Sequence, residues 1–342
     1  MKILILGVNG FIGHHLVNRI LAEKPEWQVF GMDLGTERIG AALNNPQFNF
    51  LEGDISINKE WIEYHIKKCD VIMPLVAIAT PKAYVEDPIG VYNLDFEMNV
   101  EIIKQCVKYH KRVVFPSTSE VYGACTEPEF KEDESFLVVG PINKERWIYS
   151  CCKQLLDRVI YGYGTRGHLE FTLFRPFNWI GPRLDSMDTA KEGSSRVVTQ
   201  FIAELLLKRP INLVDGGLQK RCFTYVDDGI AALMKILENK DDVCKNQIIN
   251  IGNPDNECSV KELANILKRL FQEHPDHQND STYSEIVEIP AEAFYGKGYQ
   301  DIYTRKPSIE KARMLLQWEP EITLEEYMRL TLNSFLDENK RS

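Results

Sequence analysis

Apolar runs of strand length alternate, along the first half of the chain, with segments whose apolar residues recur every three or four positions. The run ILILG at residues 3–7 has no polar interruption, as is typical of a strand buried on both faces. A helical pattern follows from Phe11 to about Glu23, and the next apolar segment ends at Asp33. This order of elements predicts a βαβ unit.

The same alternation continues to about residue 180. Strands are predicted in FNFLEGDI, CDVIMPLVA, RVVFPSTS and EFTLFRPFN, and helices over about 91–110 and in WIYSCCKQLLDRVIYGYG. Strands that alternate with helices imply a mostly parallel sheet covered on both faces. We therefore expect an α/β fold with a Rossmann-type doubly wound parallel sheet.

The pattern becomes less regular after residue 180. GPRLDSMDTAKEGSSR predicts a loop, VVTQFIAELLLK a helix, and INLVDG and QIINIG short strands. Further helices are predicted over Val226–Glu238 and Val260–Gln272. We predict a first domain over 1–180 and a smaller C-terminal α/β domain over 181–342, with some interleaving of strands between them.

Charge and composition exclude several classes of protein. The 342 residues carry a formal net charge of −10, which argues against nucleic acid as a general partner but not against a local basic pocket for a phosphorylated small molecule. Because no apolar stretch reaches about 18 residues, we expect no membrane span. None of the eight cysteines forms a CxxC pair with a histidine cluster, so we expect no metal site and reduced thiols in a cytoplasmic protein.

Three glycines follow the first predicted strand at a spacing of three: Gly7, Gly10 and Gly13. The first suits a tight turn, the second a close approach of the backbone to a pyrophosphate, and the third close packing of helix on strand. The helix N-terminus then offers free N–H groups to phosphates. Asp33, 20 residues after Gly13, suits the two hydroxyls of an adenosine ribose and would repel a 2′-phosphate. The pattern therefore predicts NAD rather than NADP, bound by the first domain.

Other cofactor contacts are less specific. Asp54 in EGDI is as compatible with a contact to the adenine as with a helix cap. The further residues predicted to contact the cofactor are Phe11, Ile12, Ile55, Leu75, Ala77, Tyr149 and Lys153.

Tyr149 and Lys153 are spaced at i and i+4 in a predicted helix, so they lie one turn apart on one face. A phenol is a poor base at its usual pKa near 10, but a neighbouring ammonium stabilises the phenolate and lowers that pKa. The phenolate can then take a proton from an alcohol as hydride leaves to NAD. The motif alone is common, and it gains weight from the glycine loop and from PSTSEVYG about 30 residues upstream.

The motifs GVNGFIG, STSEVYG, YSCCK, FRPFNWIGPR and QKRCFTYVDD occur in the order and spacing of the extended short-chain dehydrogenase/reductase family, which the chain resembles over nearly its whole length. The segments LVAIATP, KRCFT, INIGNP and GYQDIYTRKPSI make it most similar to the UDP-glucuronic acid decarboxylases of that family, the C-terminal domains of ArnA-type polymyxin-resistance proteins. Those domains oxidatively decarboxylate UDP-glucuronic acid to a UDP-4-keto-pentose. The resemblance thus implies that the second domain binds a nucleotide sugar.

The resemblance also implies roles for PSTSEVYG. Thr118 lies where the family has a hydroxyl that binds the sugar 4-OH beside Tyr149, and Ser119 and Glu120 follow it. Related dehydratases have an Asp-Glu pair at the last two positions. Since Ser119 replaces the acid, a 4,6-dehydratase is disfavoured, whereas a decarboxylase needs only an oxyanion donor and a proton source.

By the same resemblance, Glu120 and Arg305 flank the sugar carboxylate, and Arg305 either orients that group or donates a proton. Its neighbour Lys306 is an alternative cation, and the sequence alone does not choose between the two. The further residues that the resemblance assigns to substrate binding are Ala79, Tyr84, Asn178, Arg196, Asn212, Lys220, Arg221 and Tyr299.

We therefore expect an NAD-dependent enzyme that converts UDP-glucuronic acid to a UDP-4-keto-pentose, CO2 and NADH. Alternatives are a UDP-xylose synthase, which re-reduces the ketone, a UDP-apiose/UDP-xylose synthase, disfavoured by Ser119, and a 4-epimerase, which has no use for Glu120 and Arg305. A non-catalytic NAD(P)-sensing protein is the remaining alternative, although both Tyr149 and Lys153 are present. Family members commonly dimerise through helices that correspond to about 91–110 and 147–163, so a homodimer is expected.

Overall fold

The structure, a computed structural model, describes residues 1–278 and 284–341. Its strands are β1 Lys2–Leu6, β2 Gln28–Asp33, β3 Phe48–Glu52, β4 Val71–Pro74, β5 Arg112–Pro116, β6 Glu170–Pro176, β7 Trp179–Ile180, β8 Ile211–Val214, β9 Lys220–Cys222, β10 Thr224–Tyr225, β11 Gln247–Ile251, β12 Glu257–Ser259 and β13 Ile286–Ile289. Its α-helices are α1 Phe11–Glu23, α2 Lys59–Lys68, α3 Pro81–Glu86, α4 Pro88–Tyr92, α5 Asn99–Lys108, α6 Trp147–Thr165, α7 Met187–Lys191, α8 Val197–Leu206, α9 Val226–Glu238, α10 Val260–Glu273, α11 Ala291–Tyr295, α12 Glu310–Leu316 and α13 Leu324–Arg341.

Seven strands form the main sheet in the order β11-β6-β5-β4-β1-β2-β3, and all neighbouring pairs are parallel. In the centre of the sheet, Ile3 lies between Val29 of β2 and Val71 of β4. The strand order reverses between β1 and β4, which is the topological switch point where α/β proteins of this kind bind ligands. The expected Rossmann-type doubly wound fold is confirmed.

Strand β1 explains how the sheet is held. Its side chains alternate, so that Ile3 and Ile5 pack in the apolar cluster that includes residues of α1 and α9, and Leu4 and Leu6 pack in the cluster that includes residues of α2, α5 and α6. Each fully buried side chain of this size stabilises the fold by about 1.5–3 kcal/mol relative to exposure. An uninterrupted apolar run is therefore what a strand with helices on both faces requires.

Strand β11 belongs to the C-terminal half of the sequence but forms the edge of the main sheet, with Ile249 paired to Phe174 of β6. The remaining strands pair in twos, β7 with β10, β8 with β13 and β9 with β12. The division at residue 180 stays a prediction, and the chain crosses it at least once to complete the sheet.

Two local features depart from the predicted pattern. The helix predicted over about 91–110 is present, because helical residues run without a break through α4, the π-helical turn Asn93–Met98 and α5, but it contains that π-helical turn. The segment 181–196 is not only a loop, since Ser186 caps the short helix α7 by accepting a hydrogen bond from the Thr189 N–H. A serine N-cap of this kind satisfies an orphan donor of the first turn.

Within residues 1–278 and 284–341, no helix is long and apolar enough to cross a bilayer. All eight cysteines are unpaired, and six of them are buried. No cluster of three or more potential metal ligands occurs among the residues that the structure describes.

Candidate active site

A cavity of about 540 Å³ opens at the carboxyl ends of β1, β4, β5 and β6, at the switch point of the sheet. Although the chain as a whole is acidic, the described wall of this cavity carries seven cationic side chains and three carboxylates. The cationic residues are Arg38, Lys82, Arg146, Lys153, Arg196, Arg221 and Arg305. A cavity with this excess of positive charge favours an anionic ligand.

The glycine loop forms one part of the cavity wall. Gly7 has a φ of +87°, a conformation that side chains disfavour, and a Cβ on Gly13 would lie 2.5 Å from the Gly7 carbonyl oxygen. Helix α1 begins after Gly10, and no side chain caps its first turn. The first N–H groups of the helix are therefore available to a phosphate group. Phe11, Ile12, Leu75 and Ala77 also line the cavity, as predicted.

Asp33 lies at the end of β2 beside the glycine loop but does not itself line the cavity. Its carboxylate accepts hydrogen bonds from the Asn9 and Leu34 N–H groups, at 2.7 and 2.8 Å. Burial raises the pKa of Asp33, and these two N–H groups oppose the rise. Arg38, which the sequence analysis did not single out, lines the cavity nearby, and its N–H donates to Oδ1 of Asn9.

Three further predicted site residues lie away from the cavity wall. Asp54 accepts hydrogen bonds from the N–H and hydroxyl of Ser56, so it stabilises a turn, and Ile55 packs against an apolar cluster of the core. Lys220 is exposed and pairs with Glu257 at 3.6 Å. The contacts predicted for Asp54 and Ile55 with the cofactor, and for Lys220 with the substrate, therefore stay predictions, and the positions of these side chains do not support them.

Tyr149 and Lys153 project from α6 into the cavity and are both buried. The Lys153 Nζ donates to the carbonyl oxygen of Pro116 at 3.1 Å and lies 5.9 Å from the centre of the Tyr149 ring. The ring of Tyr149 stacks on Tyr84 with centroids 4.7 Å apart, and Thr118 lines the same cavity. The predicted catalytic pair, the predicted hydroxyl of Thr118 and the predicted substrate contact Tyr84 thus line one cavity.

In the protein without ligands, the pKa of Tyr149 is raised and not lowered. Burial raises the pKa of the phenol, and the carboxylates of Asp95 and Glu120 raise it further. Burial also lowers the pKa of the Lys153 ammonium. The phenolate therefore needs an additional positive charge in the cavity, which a bound oxidised nicotinamide carries.

Glu120 lies at the centre of a buried charge cluster. Its Oε1 accepts a hydrogen bond of 2.5 Å from Nη1 of Arg305, and its Oε2 is 2.7 Å from Nη2 of Arg146. Burial alone would raise the pKa of Glu120, but Arg146, Arg305 and Arg221 outweigh it and lower that pKa to about 2. Glu120 is therefore a carboxylate at any ordinary pH, and a general-acid role for it is disfavoured.

The choice between Arg305 and Lys306 has a structural answer. Arg305 lines the cavity, is 7% exposed and also contacts the Ser119 hydroxyl at 3.4 Å, whereas Lys306 lies outside and pairs with Glu129. The cation of this predicted pair that faces the cavity is Arg305.

Arg146 was not predicted from the sequence. It is 1% exposed, lines the cavity and lies over Trp147, with its guanidinium carbon 4.8 Å from that ring. In the described part of the chain, Nε and Nη1 of Arg146 and Nε of Arg305 are buried without a hydrogen-bond partner. Such donors are costly unless a ligand accepts from them. The only feature of the sequence that could have indicated a role for Arg146 is its position one helical turn before Tyr149.

The remaining substrate contacts predicted from the sequence line the same cavity: Ala79, Asn178, Arg196, Asn212, Arg221 and Tyr299. Two of the arginines are already partnered, since Arg196 is 2.7 Å from a carboxylate oxygen of Asp185, and Arg221 is 2.7 Å from Asp301. Asn178, in the left-handed backbone region with a φ of +42°, donates to the Cys222 carbonyl oxygen. These ion pairs hold the arginine side chains in place.

The fold, the glycine loop and the Tyr–Lys pair define a Rossmann-fold protein of the nucleotide-dependent oxidoreductase type. The model of the NAD dependent epimerase/dehydratase family matches residues 3–252. The chain belongs to this family of NAD-dependent enzymes, and its cofactor is NAD.

Among solved structures, the chain is similar to the PbgP3 protein of Burkholderia pseudomallei, with 54% identity and a TM-score of 0.89 over 99% of this chain and 97% of that one. It also shares its fold with the UDP-glucose 4-epimerase of Thermotoga maritima, solved with UDP-glucose, at 24% identity and a TM-score of 0.81 over 99% and 100% of the two chains. The UDP-glucuronic acid 4-epimerase of Bacillus cereus, solved with UDP-glucuronic acid and NAD, gives 22% identity, a TM-score of 0.81 and the same coverage.

The residues present fit NAD. The uncapped first turn of α1 provides a phosphate site, the close approach of Gly13 to the Gly7 and Val8 backbone holds that turn against the loop, and the carboxylate of Asp33 beside the loop suits a ribose. Gly7 and Gly10, with the first N–H groups of α1, would hold the pyrophosphate, and Tyr149 and Lys153 the nicotinamide ribose.

Proposed function

We propose that the protein catalyses the NAD-dependent oxidative decarboxylation of UDP-glucuronic acid to a UDP-4-keto-pentose and CO2. The observation that carries the proposal is the cluster of Glu120, Arg146 and Arg305 beside Tyr149, which has buried N–H groups left over for an acidic sugar. A neutral hexose would leave those donors unsatisfied, which costs about 1–3 kcal/mol for each group.

In this proposal, Tyr149 as the phenolate takes the proton of the sugar 4-OH, with Thr118 holding that hydroxyl. NAD, when bound, accepts the hydride from C4. The product is a β-keto acid, in which the bond from C5 to the carboxyl carbon breaks and its electron pair passes to the C4 ketone. A proton then adds at C5 and balances the one that Tyr149 took from the 4-OH, so the 4-keto-pentose forms with no net release of protons. Arg146 and Arg305 orient the departing carboxylate, and Ser119 supplies a nearby hydroxyl.

The other end of the substrate is a diphosphate and a uridine. Arg196 and Arg221 are fixed by carboxylates on the cavity wall, and Asn178 and Asn212 offer amide groups. The UDP-sugars bound in the two epimerase structures that share this fold support this class of substrate. We also propose a homodimer that pairs through α5 and α6, because Leu155 and the ring of Tyr161 on α6 are about half exposed. A cytoplasmic location is proposed from the reduced cysteines alone.

The test is incubation with UDP-glucuronic acid and NAD while absorbance at 340 nm and CO2 release are recorded. Equal amounts of NADH and CO2 support net oxidative decarboxylation, and CO2 without NADH indicates a UDP-xylose synthase that returns the hydride to C4. Interconversion of UDP-glucuronic and UDP-galacturonic acids without CO2 would identify a 4-epimerase instead. UDP-glucose is the matched control, since it lacks the carboxylate and should give neither product.

A further inference from the structure

One buried side chain connects the two segments that carry Glu120 and Arg305. Asn250 is completely buried and lies in β11, the strand of the C-terminal half that forms the edge of the main sheet. A buried amide must satisfy its oxygen and its N–H groups inside the protein. The partners of those groups therefore determine which segments Asn250 holds together.

The side-chain oxygen of Asn250 binds the segment that carries Glu120. Tyr122 is the last residue of the 3-10 helix Ser119–Tyr122, and its hydroxyl donates to Oδ1 of Asn250 at 2.8 Å. Burial raises the pKa of Tyr122 to about 12, so the phenol keeps the proton that it donates. The same hydroxyl oxygen accepts a hydrogen bond of 2.9 Å from Nη1 of Arg175. The direction of the hydrogen bond to Asn250 is therefore fixed.

The side-chain N–H groups of Asn250 bind the segment that carries Arg305. Nδ2 donates to the carbonyl oxygens of Phe130 and Ser308, at 2.9 and 3.3 Å. The Phe130 backbone binds the same segment, since its N–H donates to the Lys306 carbonyl oxygen at 2.8 Å and its carbonyl oxygen accepts from the Ser308 N–H at 2.9 Å. The backbone that directly follows Arg305 is therefore held at two residues.

Packing holds this segment against the end of β11. A Cβ on Gly252, two residues after Asn250, would lie 2.8 Å from Cγ of Pro307, so the segment covers the backbone closely at that position. The backbone N–H of Asn250 is also fixed, because it donates to a carboxylate oxygen of Glu132 at 2.8 Å. Asn250 therefore cannot shift without breaking hydrogen bonds in a buried environment, where each lost partner is costly.

We propose that Asn250 is a positioning residue that sets the geometry of the Glu120–Arg305 ion pair. Its oxygen anchors the helix that carries Glu120 through the Tyr122 hydroxyl, and its N–H groups anchor the backbone that follows Arg305. Because one rigid amide joins the two segments, the two charged side chains are held where they meet. The inference rests on the proposed function only in the role of Arg305, which is to orient the sugar carboxylate.

The first test separates the oxidation at C4 from the loss of CO2. Asn250→Ser replaces the amide by a short hydroxyl and adds no buried charge. In a single turnover of UDP-glucuronic acid with enzyme in excess, the rate constant of CO2 release should fall at least about tenfold, because Arg305 is misplaced. The rate constant of NADH formation should stay within about twofold, because Tyr149 and Lys153 are unchanged. A variant that is merely less stable would lose both steps together, and that result would overturn the proposal.

Asn253→Ser is the matched control for this substitution. Asn253 is also buried and lies two residues after β11, but its side chain contacts the Asp255 N–H and the Ile322 carbonyl oxygen, at 3.0 and 3.5 Å. This variant loses a buried amide of the same kind at a distance from Arg305. It should keep the wild-type ratio of the two rate constants, and a ratio shifted as much as in Asn250→Ser would contradict the inference.

Tyr122→Phe keeps the test decisive if Asn250→Ser does not fold. It retains the ring, which stacks on Phe130 with centroids 4.7 Å apart, and removes only the hydroxyl that joins Asn250 to the helix of Glu120. CO2 release should slow at least about threefold relative to NADH formation, because one of the two anchors is lost. An unchanged ratio in Tyr122→Phe would refute the proposal.

The second test needs no substrate, so its result is independent of the proposed function. Urea denaturation midpoints are compared for the wild-type protein, Asn250→Ser, Arg305→Gln and the double variant, with Tyr122→Phe in place of Asn250→Ser if the latter does not fold. The size of the shift that Arg305→Gln causes should fall by about half or more in the Asn250→Ser background, because the ion pair is already loosened there. Equal shifts in both backgrounds would refute the inference. A wild-type protein that shows this coupling but releases no CO2 would refute the proposed function alone.

Discussion

Glu120 and Arg305 are 185 residues apart in the sequence and form a buried ion pair of 2.5 Å on the wall of the cavity. The pair is joined on its other side by Arg146, so that one carboxylate is held between two guanidinium groups. Because the carboxylate neutralises only one of them, the cluster keeps a positive charge beside Tyr149. This arrangement is suited to a sugar acid rather than to a neutral sugar.

Arg305→Gln should therefore lower the rate of CO2 release from UDP-glucuronic acid at least about 100-fold, because it removes the charge that orients the carboxylate. UDP affinity, measured by calorimetry, should change little. Lys306→Gln is the matched control, since Lys306 is the adjacent cation but pairs with Glu129 outside the cavity. Normal turnover in Arg305→Gln, or an equal loss in both variants, would contradict the assignment of Arg305.

Tyr149→Phe should lower kcat at least about 100-fold while KM for UDP-glucuronic acid stays within about twofold, because the base is lost and the aromatic ring is kept. Steady-state rates of CO2 release give both constants. Tyr163→Phe on the same helix is the control, since Tyr163 packs on the core and does not line the cavity. A Tyr149→Phe enzyme with most of its activity would require a different base.

The site could be predicted from the sequence where a local motif defines it, as for Gly7, Gly13, Tyr149 and Lys153. It could not be predicted where neighbouring side chains point in opposite directions. Lys220 and Arg221 are adjacent in strand β9, where successive side chains alternate, so Arg221 faces the cavity and Lys220 faces solvent. Arg305 and Lys306 also diverge, although they lie outside any strand, since Arg305 lines the cavity and Lys306 pairs with Glu129.

Longer-range features were also inaccessible to pattern analysis. The π-helical turn at Asn93–Met98 lies inside the predicted helix, and it could not be predicted because one additional residue in a turn does not change the apolar periodicity visibly. The pairing of β11 with β6 depends on a contact between residues about 75 positions apart, such as Ile249 and Phe174. The role of Arg146 depends on its proximity to Glu120, which only the folded chain establishes.

Gly13→Ala should abolish NAD binding or weaken it at least about tenfold, because the new Cβ would lie 2.5 Å from the Gly7 oxygen and 2.7 Å from the Val8 oxygen, both backbone atoms. Fluorescence titration with NADH measures the affinity. Gly40→Ala is the matched control, since the nearest atom to its Cβ, the Thr36 oxygen, is 3.9 Å away. Unchanged NADH affinity in Gly13→Ala would show that the glycine loop does not hold the cofactor.

Glu204 of α8 gives a prediction about stability and pH. It is 5% exposed, and burial raises its pKa to about 7, although Gln200 and Asn212 oppose the rise by hydrogen bonding. A carboxyl group whose pKa is raised by folding contributes stability below its unfolded pKa, near 4.5, and loses that contribution as the pH rises through about 7. Above pH 7 the folded protein therefore carries the cost of a buried carboxylate, which is roughly 1–3 kcal/mol.

Glu204→Gln keeps the hydrogen-bonding shape and removes the charge, so it should raise the denaturation midpoint at pH 8.5 and have a much smaller effect at pH 5. Urea unfolding at the two pH values measures the difference. Glu192→Gln is the control at an exposed position, and it should have little effect at either pH because solvent already stabilises that charge. The opposite result would be a Glu204→Gln variant that loses more stability relative to the wild type at pH 8.5 than at pH 5. It would mean that the folded protein stabilises the carboxylate and that folding does not raise the pKa of Glu204.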